Sequence, residues 1–375
     1  MKPQSLSLAA VLVTAALAAT AHGQGVQIAE QAGGYGMAGG PPAGPPMGGQ
    51  MGGPEMGYGD PYAPAPPSGP RPFGADATHY LRFETMLLDR DVGEGLRLTT
   101  RGVNGDFVLE TDQLEFEVEF ATRVLVGLRL NDCCVLEASY FGLQNWEDRA
   151  TATDPGGQLF SIYSDFGVDP PLGFANTDSA LVQEIHYTSE LHNAELNVAS
   201  LRYGELGCGR ELWYVAGLRY LEIQEGFDYL TIGAFDQSFT NVRTENDLVA
   251  FQMGLRYEHL VSCKLKVGAE VKGGVAVNMA ELENHTDATI SGRLIEHESD
   301  DDLSFLGEAS LTGTYSVCPW LCLRGGYHVL YVDGLALAPN NFDRTPPASG
   351  IRVPVVDFDG SVLYHGATMG VELHW

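Results

Sequence analysis

The sequence has few basic residues and, beyond its amino-terminal segment, no long apolar run. Its 375 residues include 21 Lys and Arg against 49 Asp and Glu, which gives a formal net charge of −28. Because proteins bind nucleic acid through clustered Lys and Arg that displace counterions from phosphates, this charge argues against nucleic acid as a partner. Helical membrane spans are excluded as well, since each needs roughly 18 to 20 apolar residues.

The sequence also lacks the motifs of common enzymes. It contains no G-x-S-x-G, no H-E-x-x-H and no phosphate-binding loop. His192, His297 near Asp300, and Ser200 are the remaining catalytic candidates, but isolated His residues on strands are more often rim or girdle residues than catalysts. We therefore expect no enzymatic activity, no catalytic residue and no cofactor.

The amino terminus has the features of an export signal. Lys2 precedes an apolar segment from Leu6 to Ala19, and small residues at Ala19, Ala21 and Gly23 offer cleavage sites. We predict a signal peptide over residues 1–23 and hence an exported protein. An N-terminal membrane anchor is the alternative.

Gly and Pro dominate the next segment, from about Gln31 to Gly74. Such a composition buries too little apolar surface to offset the entropy lost on ordering. We predict a disordered periplasmic linker over residues 24–75, followed by one folded domain over residues 76–375. The alternative is a mobile tail that binds the cell wall through Tyr35, Tyr58 and Tyr62.

Beyond the linker, apolar and polar residues alternate with a period of two, which indicates β-strands. From Lys264 to Asn278, for example, Val267 and Val271 fall on one face, whereas Lys266 and Lys272 fall on the other. The pattern predicts about ten strands, with a range of 8 to 12. The uncertainty lies mainly between Asp91 and Gln113, which could form an extra hairpin.

The connections between these strands alternate in length. Short turns are predicted near residues 131–134, 206–210, 262–264 and 317–320, and long polar stretches near residues 89–113, 147–186, 225–246, 280–302 and 333–360. Most of the strands approach the 9 to 11 residues that cross a bilayer at a tilt. We therefore predict an all-β fold, an antiparallel transmembrane outer-membrane β-barrel with both termini in the periplasm. A soluble secreted β-sandwich is the alternative fold.

The polar faces of these strands predict a charged lumen that either lines a water channel or plugs it, because a barrel of about ten strands is narrow. Glu115, Glu117 and Glu119 are expected in one inward row. The predicted pore-lining residues are Arg82, Glu115, Glu117, Glu119, Glu195, Arg219, Arg256, Lys266, Glu270, Lys272, Glu308, Arg324 and Glu372.

The six cysteines all lie in or beside predicted short turns. In an exported chain their even number predicts disulfides between neighbouring turns, although the pairing is open. The disulfide candidates are Cys133, Cys134, Cys208, Cys263, Cys318 and Cys322. No metal site is expected from them, because no matched pairs with zinc spacing occur.

A second acidic group lies in the fourth long polar stretch. It is a weak Ca²⁺ candidate because it offers several carboxylates, but it lacks EF-hand spacing, so a solvated surface loop is favoured. Its residues are Glu296, Glu298, Asp300, Asp301 and Asp302.

Four segments resemble the planctomycete-type β-barrel porin family. They are THYLRFETMLLDR from Thr78, LEFEVEFATRVLVGLRLNDCCVLEASYFGLQNWE from Leu114, YTSELHNAELNV from Tyr187 and GLRYLEIQEGF from Gly217. The resemblance covers roughly residues 78–375 and implies an outer-membrane barrel of presumed pore function. It also implies that the terminal Trp375 is a signal for the barrel assembly machinery.

These observations predict a passive pore in the cell outer membrane for small or ionic solutes. The alternative is a non-conducting, membrane-anchored surface scaffold or adhesion protein that displays long acidic loops. Its expected partners are outer-membrane lipid and the assembly machinery, and a homo-oligomer is possible in either case.

Overall fold

The computed structural model describes residues 77–93, 95–205, 208–289, 292–346 and 354–375. The predicted signal peptide and linker lie outside these residues. Among the described residues, no helix is long and apolar enough to cross a membrane. The strands, in chain order, are β1 (His79–Arg90), β2 (Arg97–Arg101), β3 (Asp106–Glu110), β4 (Glu119–Asn131), β5 (Cys134–Thr153), β6 (Leu159–Ser161), β7 (Val182–Glu205), β8 (Cys208–Ile232), β9 (Gln237–Ser262), β10 (Leu265–Ala288), β11 (Gly292–Cys318), β12 (Leu321–Leu335) and β13 (Gly360–His374).

Ten of these strands close into a barrel in the order β1-β13-β12-β11-β10-β9-β8-β7-β5-β4, and every pair is antiparallel. The predicted number of about ten strands is confirmed. The possible extra hairpin between Asp91 and Gln113 also exists, as β2 and β3. It lies outside the barrel, in a small sheet of order β3-β2-β6.

The ladder registers preserve the alternation seen in the sequence. Lys272 of β10 lies opposite Gly254 of β9 and Glu308 of β11. The preceding residue, Val271, lies opposite Leu255 and Ala309. Because directly opposite residues point to the same side of a sheet, the charged residues share the inner face and the apolar residues share the outer face.

The outer face carries a belt of solvent-accessible apolar side chains, including Phe251, Met253, Val271, Phe305 and Leu311. Exposed aromatic residues border this belt at the short-turn end, namely Tyr214, Tyr257, Tyr315, Trp320 and Trp375. Tyr327 and Tyr331 lie within the belt, opposite Leu311 and Gly307. An apolar band bordered by aromatic residues is characteristic of barrels that face lipid. The architecture is therefore that of an outer-membrane β-barrel.

The barrel wall has two heights. Strands β5 and β7 to β11 contain 20 to 27 residues, whereas β1, β4, β12 and β13 contain 12 to 15. A bilayer crossing needs only about 9 to 11 residues. The outer halves of the long strands consequently extend beyond the apolar belt and form a tall wall along one side of the barrel.

The tall wall corrects the prediction of long loops near residues 225–246 and 280–302. Most of these residues belong to strands, and the β8–β9 turn spans only residues 233–236. Composition was misleading here because the outward positions face water and are polar. The inward positions, such as Phe227, Val242 and Leu282, are buried and continue the barrel interior above the belt.

The belt makes a testable prediction about stability in lipid. Val271→Arg places a charge on the outward face of β10 and is expected to lower the free energy of unfolding by roughly 2–4 kcal/mol in phospholipid vesicles. The matched control is Ile295→Arg on the outer half of β11, also an exposed apolar residue, and its expected cost is about 1 kcal/mol or less. Equal losses in the two variants, measured by denaturant titration, would contradict the placement of the belt.

Candidate functional site

The inner face of the barrel holds a network of ion pairs. Ten of the thirteen residues predicted from sequence to line the lumen take part, and they come from eight of the ten barrel strands. The participating cations are Arg82, Arg123, Arg219, Arg256, Lys266, Lys272 and Arg324, and the carboxylates are Glu84, Glu137, Glu195, Glu258, Glu270, Glu308 and Glu372.

The centre of the network joins two cations to two carboxylates. Lys272 Nζ lies 2.7 Å from Glu195 Oε2 and 2.9 Å from Glu308 Oε1. Arg219 Nη2 donates to Glu195 Oε1 at 2.8 Å and also to Glu308. All four side chains are buried. Gln252 adds a further donor to Glu195 at 2.9 Å, so each charge has several partners.

A second cluster lies nearer the short-turn end. Arg256 donates two parallel hydrogen bonds of 2.7 Å to Glu137 and also pairs with Glu270. Tyr80 donates to the same Glu137 carboxylate. The Tyr80 ring fits because its ladder partner is Gly127, where an added Cβ would lie 2.1 Å from the ring.

A third cluster joins the strands that close the barrel. Arg324 donates to Glu84 at 2.9 Å and to Glu372 at 3.2 Å, and Arg82 pairs with Glu372. Arg123 lies 3.8 Å from Glu84 and 4.0 Å from Glu308, which connects this cluster to the centre. The first and last strands, β1 and β13, are therefore linked by charge as well as by their ladder.

The network is electrically balanced, since the Lys, Arg and Glu residues named above are seven cations and seven carboxylates. Sequence reasoning missed Glu84, Glu137 and Glu258 as lumen residues. The same alternation would have found them, because Glu84 lies two residues from Arg82 and Glu258 two residues from Arg256.

Glu115 and Glu117 do not join the network, which corrects the predicted inward row. Both precede β4 and are exposed, whereas the neighbouring Leu114 and Phe116 are buried in the core at the outer end. The alternation is also present in the residues before β4, but there the apolar residues occupy the inner positions. Glu119 begins β4 opposite the buried Leu88, nearer the outer end than the ion pairs.

The lumen leaves little free volume. Within the network lies a cavity of about 60 Å³, and a second cavity of about 70 Å³ lies toward the short-turn end beside Trp213 and Glu258. A cavity needs about 10–15 Å³ of such volume to hold one water, so each cavity has room for a handful of waters. Toward the outer end, the interior is filled by fully buried apolar residues such as Met86, Phe141, Trp146, Leu221 and Ile223.

A buried ion pair lies inside the tall wall, within the apolar core. Arg90 pairs with Glu225, and Tyr187 donates to Glu225 at 2.8 Å. The backbone N–H of Ala338, in the segment that joins β12 to β13, donates to the same carboxylate at 2.9 Å. Burial raises the pKa of Glu225, and the charge of Arg90 opposes that shift. This cluster fastens the β12–β13 segment into the barrel mouth.

Asparagine side chains hold this segment and the last residues of β12. Asn246 of β9 donates to the carbonyl of Ala336 at 2.9 Å and accepts from its N–H at 2.8 Å, as a strand neighbour would. Asn278 of β10 donates to the carbonyl of Gly334 at 3.1 Å. Phe342 then packs against Tyr163 and Tyr229. The mouth is thus covered by ordered chain.

An open cleft of about 730 Å³ lies between the outer half of β11 and the segment that joins β12 to β13, and we call it the outer acidic cleft. It exists because β11 pairs with β12 only from Phe305 onward, so residues 292–304 have a ladder partner on the β10 side alone. Its carboxylates are Glu296, Asp300, Asp301, Asp302, Asp343, Asp357 and Asp359. The described lining contains no Lys, Arg or His.

Four of the five weak Ca²⁺ candidates, all except Glu298, line this cleft. They do not form a compact ion site. Across the described part of the chain, the only three potential ligand atoms within 4.8 Å of one another belong to Cys322, Glu372 and His374. That group lies in the lumen, where Glu372 is already paired with Arg82.

The catalytic candidates are not brought together. His192 lies on β7 with its Nδ1 2.8 Å from the Tyr140 hydroxyl, and Ser200 lies near the short-turn end beside Cys134. His297 lies in a separate depression with Glu281 and Glu283, while Asp300 lines the outer acidic cleft.

The predicted disulfides are not confirmed. Cys133, Cys134, Cys263, Cys318 and Cys322 are free thiols. The side chain of Cys208 lies outside the described part of the structure. The cysteines do lie at the short-turn end, as expected, with Cys133 and Cys263 exposed.

The sequence matches no family model and no curated protein. Three solved structures share the barrel architecture at low similarity. The outer membrane protease OmpT from Escherichia coli is 12% identical, with 81% of this chain and 98% of that chain covered and a TM-score of 0.42. The translocator domain of the autotransporter NalP from Neisseria meningitidis is 9% identical, with 80% and 89% covered and a TM-score of 0.37. The CymD monoaromatic hydrocarbon channel is 8% identical, with 80% and 89% covered and a TM-score of 0.30. Similarity at this level transfers no activity.

The lumen network predicts a large cost for removing one of its charges. Arg219→Met leaves Glu195 and Glu308 with Lys272 as their remaining close cation, and we expect a loss of roughly 3–5 kcal/mol in the free energy of unfolding. The control is Arg149→Met, which breaks an exposed pair with Glu184 of 3.0 Å and is expected to cost about 1 kcal/mol or less. Denaturant midpoints of the refolded proteins in detergent compare the two. A small loss for Arg219→Met would show that the network is hydrated and loose.

Proposed function

We propose that the protein is a non-conducting outer-membrane barrel that anchors its tall outer wall and acidic loops at the cell surface. The observation that carries this proposal is the filled lumen. Ion pairs occupy its lower half, buried apolar side chains occupy its upper half, and ordered segments cover its mouth. The passive pore expected from the sequence is the competing function.

The energetics of the network favour a plug over a channel. A permeating ion would have to separate charges such as Lys272 and Glu195, which are buried and only 2.7 Å apart. Breaking a buried pair costs about 3–5 kcal/mol, and several pairs lie in series along the barrel axis. The apolar residues near the mouth, Phe141 and Trp146 among them, would then offer the ion no polar partner.

The orientation in the proposal follows from the positions of the turns and the tall wall. We place the short turns and both termini in the periplasm and the tall wall outside the cell, as is usual for bacterial barrels of even strand number. Trp375 stacks on His79 with ring centroids 5.8 Å apart, and their backbones exchange two hydrogen bonds of 3.1 Å. This contact is consistent with a carboxyl-terminal strand that closes the barrel during assembly. Membership of the planctomycete-type porin family is part of the proposal.

Conductance tests the proposal directly. The purified full chain, reconstituted into planar lipid bilayers, is expected to give no stepwise current in 1 M KCl, because ion pairs and buried apolar side chains fill the lumen. A general diffusion porin in the same membrane is the positive control. Reproducible current steps with cation preference would overturn the proposal in favour of the passive pore.

Thiol labelling in intact cells tests the orientation. Ala234→Cys, at the β8–β9 tip, is expected to react with a membrane-impermeant maleimide because the tall wall faces outward. The native exposed thiols of Cys133 and Cys263 at the opposite rim are the internal controls. They are expected to react only after the outer membrane is permeabilised, as read by mass spectrometry of the labelled peptides. Labelling of Cys133 and Cys263 but not Ala234→Cys in intact cells would reverse the orientation.

A further inference from the structure

A cysteine, a carboxylate and a histidine meet inside the barrel near the short-turn end. Cys322 of β12 lies directly opposite Glu372 of β13 in the ladder, and His374 follows two residues later on the same strand. Because side chains alternate between the two faces of a strand, all three share the inner face. One potential ligand atom from each lies within 4.8 Å of the other two. The ladder thus assembles a set of metal ligands that has no spacing signature in the sequence.

The three donor types together favour zinc. Thiolate sulfur, imidazole nitrogen and carboxylate oxygen are the ligands that Zn²⁺ takes in proteins, whereas Ca²⁺ and Mg²⁺ prefer oxygen alone. A tetrahedral zinc ion with bonds of about 2.0–2.3 Å holds its ligand atoms about 3.3–3.8 Å apart. The separations in the barrel run from 2.8 Å between His374 and Glu372 up to the 4.8 Å limit of the group. Side-chain shifts of about 1 Å would therefore bring all three atoms to bonding distance.

The contact between His374 and Glu372 leaves the imidazole poorly satisfied. Nε2 of His374 lies 2.8 Å from Oε1 of Glu372, and the His374 side chain is only 10% exposed. The two atoms do not have hydrogen-bond geometry, and among the described residues this buried nitrogen has no hydrogen-bond partner. A buried polar atom in that state is costly. An ion bound by both atoms would satisfy them together.

The other carboxylate oxygen of Glu372 is held by arginines. Arg324 donates to Oε2 at 3.2 Å, and Arg82 pairs with the same atom. Oε1 consequently faces His374, while Oε2 receives the outer hydrogen bonds that commonly orient a metal-binding carboxylate. A zinc ion adds two positive charges beside these arginines, and loss of the thiol proton from Cys322 on binding offsets one of them.

A neighbouring cavity can supply the remaining ligand. Glu372 and His374 both line the cavity of about 70 Å³ toward the short-turn end. This volume is large enough for water, since one molecule needs about 10–15 Å³. Zinc sites with three protein ligands take a water in the fourth position.

We propose that Cys322, Glu372 and His374 bind one Zn²⁺ ion, with a water from the neighbouring cavity as the fourth ligand. The ion joins β12 to β13, the strand that closes the barrel against β1. The site goes beyond the function proposed above and does not depend on it, because metal binding and conductance are measured separately.

Metal titration of the full chain tests the proposal, with the protein folded in a non-ionic detergent and freed of metal by a chelator. We expect one tightly bound Zn²⁺ per chain in competition with a chromophoric chelator, and no displacement by excess Mg²⁺, which avoids thiolate. Co²⁺ in place of zinc is expected to give a thiolate-to-cobalt charge-transfer band. Absence of stoichiometric zinc binding, or a cobalt complex without the thiolate band, would overturn the proposal.

A matched pair of cysteine variants locates the site. Cys322→Ser is expected to weaken zinc binding by more than about 100-fold, the upper range for loss of an outer-shell partner, and to abolish the cobalt charge-transfer band. The control is Cys318→Ser, which removes a partly buried thiol at the same β11–β12 turn that is not in the ligand group. We expect its zinc affinity to be unchanged. Equal weakening in the two variants would overturn the proposal.

The thiols of the other short turns are the competing site for zinc. A variant that combines Cys133→Ser, Cys134→Ser and Cys263→Ser removes three of them. It is expected to keep one zinc per chain and the same cobalt spectrum. Loss of zinc binding from this variant would show adventitious binding at the rim and overturn the proposal.

His374→Gln tests the histidine and serves as the second variant if Cys322→Ser fails to fold. We expect weaker zinc binding, with the heat-modifiable gel migration of the folded barrel unchanged. Zinc is also expected to raise the denaturant midpoint of the unmodified chain, because it binds the folded state, but not that of His374→Gln at the same zinc concentration. Unchanged zinc affinity in the folded variant would contradict the three-residue site.

Discussion

Charge neutralisation inside the barrel is the constraint on which the rest of the structure depends. The lumen network pairs seven cations with seven carboxylates on the inner face, where an unpaired charge would cost several kcal/mol. Each is tolerated only because the ladder registers bring its partner into reach, as with Lys272 directly opposite Glu308. The charged lumen is consequently a packed polar core. It also helps to close the barrel, because Arg82 of β1 pairs with Glu372 of β13.

The uneven wall follows from what lies above this core. The inner faces of β5 and β7 to β11 continue as apolar strands beyond the belt, and Phe227 or Tyr229 would face water if nothing covered them. The short strands leave that side open, and the segments after β1 and β12 fold inward to fill it. Their own polar groups are satisfied there, because Glu225 and Asn246 accept from the backbone of Ala338 and Ala336.

Alternation alone predicts which face a residue occupies, and for β9 to β13 it is sufficient. It does not predict partners across the barrel. Arg256 meets Glu137, 119 positions away, and only the closed ring brings them together. Composition also misplaced the ends of strands. Residues 280–302 are polar enough to suggest a loop. In β10, however, every second residue of this stretch points inward and is buried, as Leu282 and Thr286 are. Glu115 shows the opposite error. Its alternating pattern suggests a strand, but the residue precedes β4 and has no ladder partner.

Because the lumen network is neutral, the net charge of −28 lies entirely in the rest of the chain. Part of it lies on residues 292–304 of β11, whose edge has no ladder partner on the β12 side. An unpaired edge invites pairing with another chain, and charged residues oppose it. Asp300 and Asp302 therefore protect this edge from pairing with a second chain.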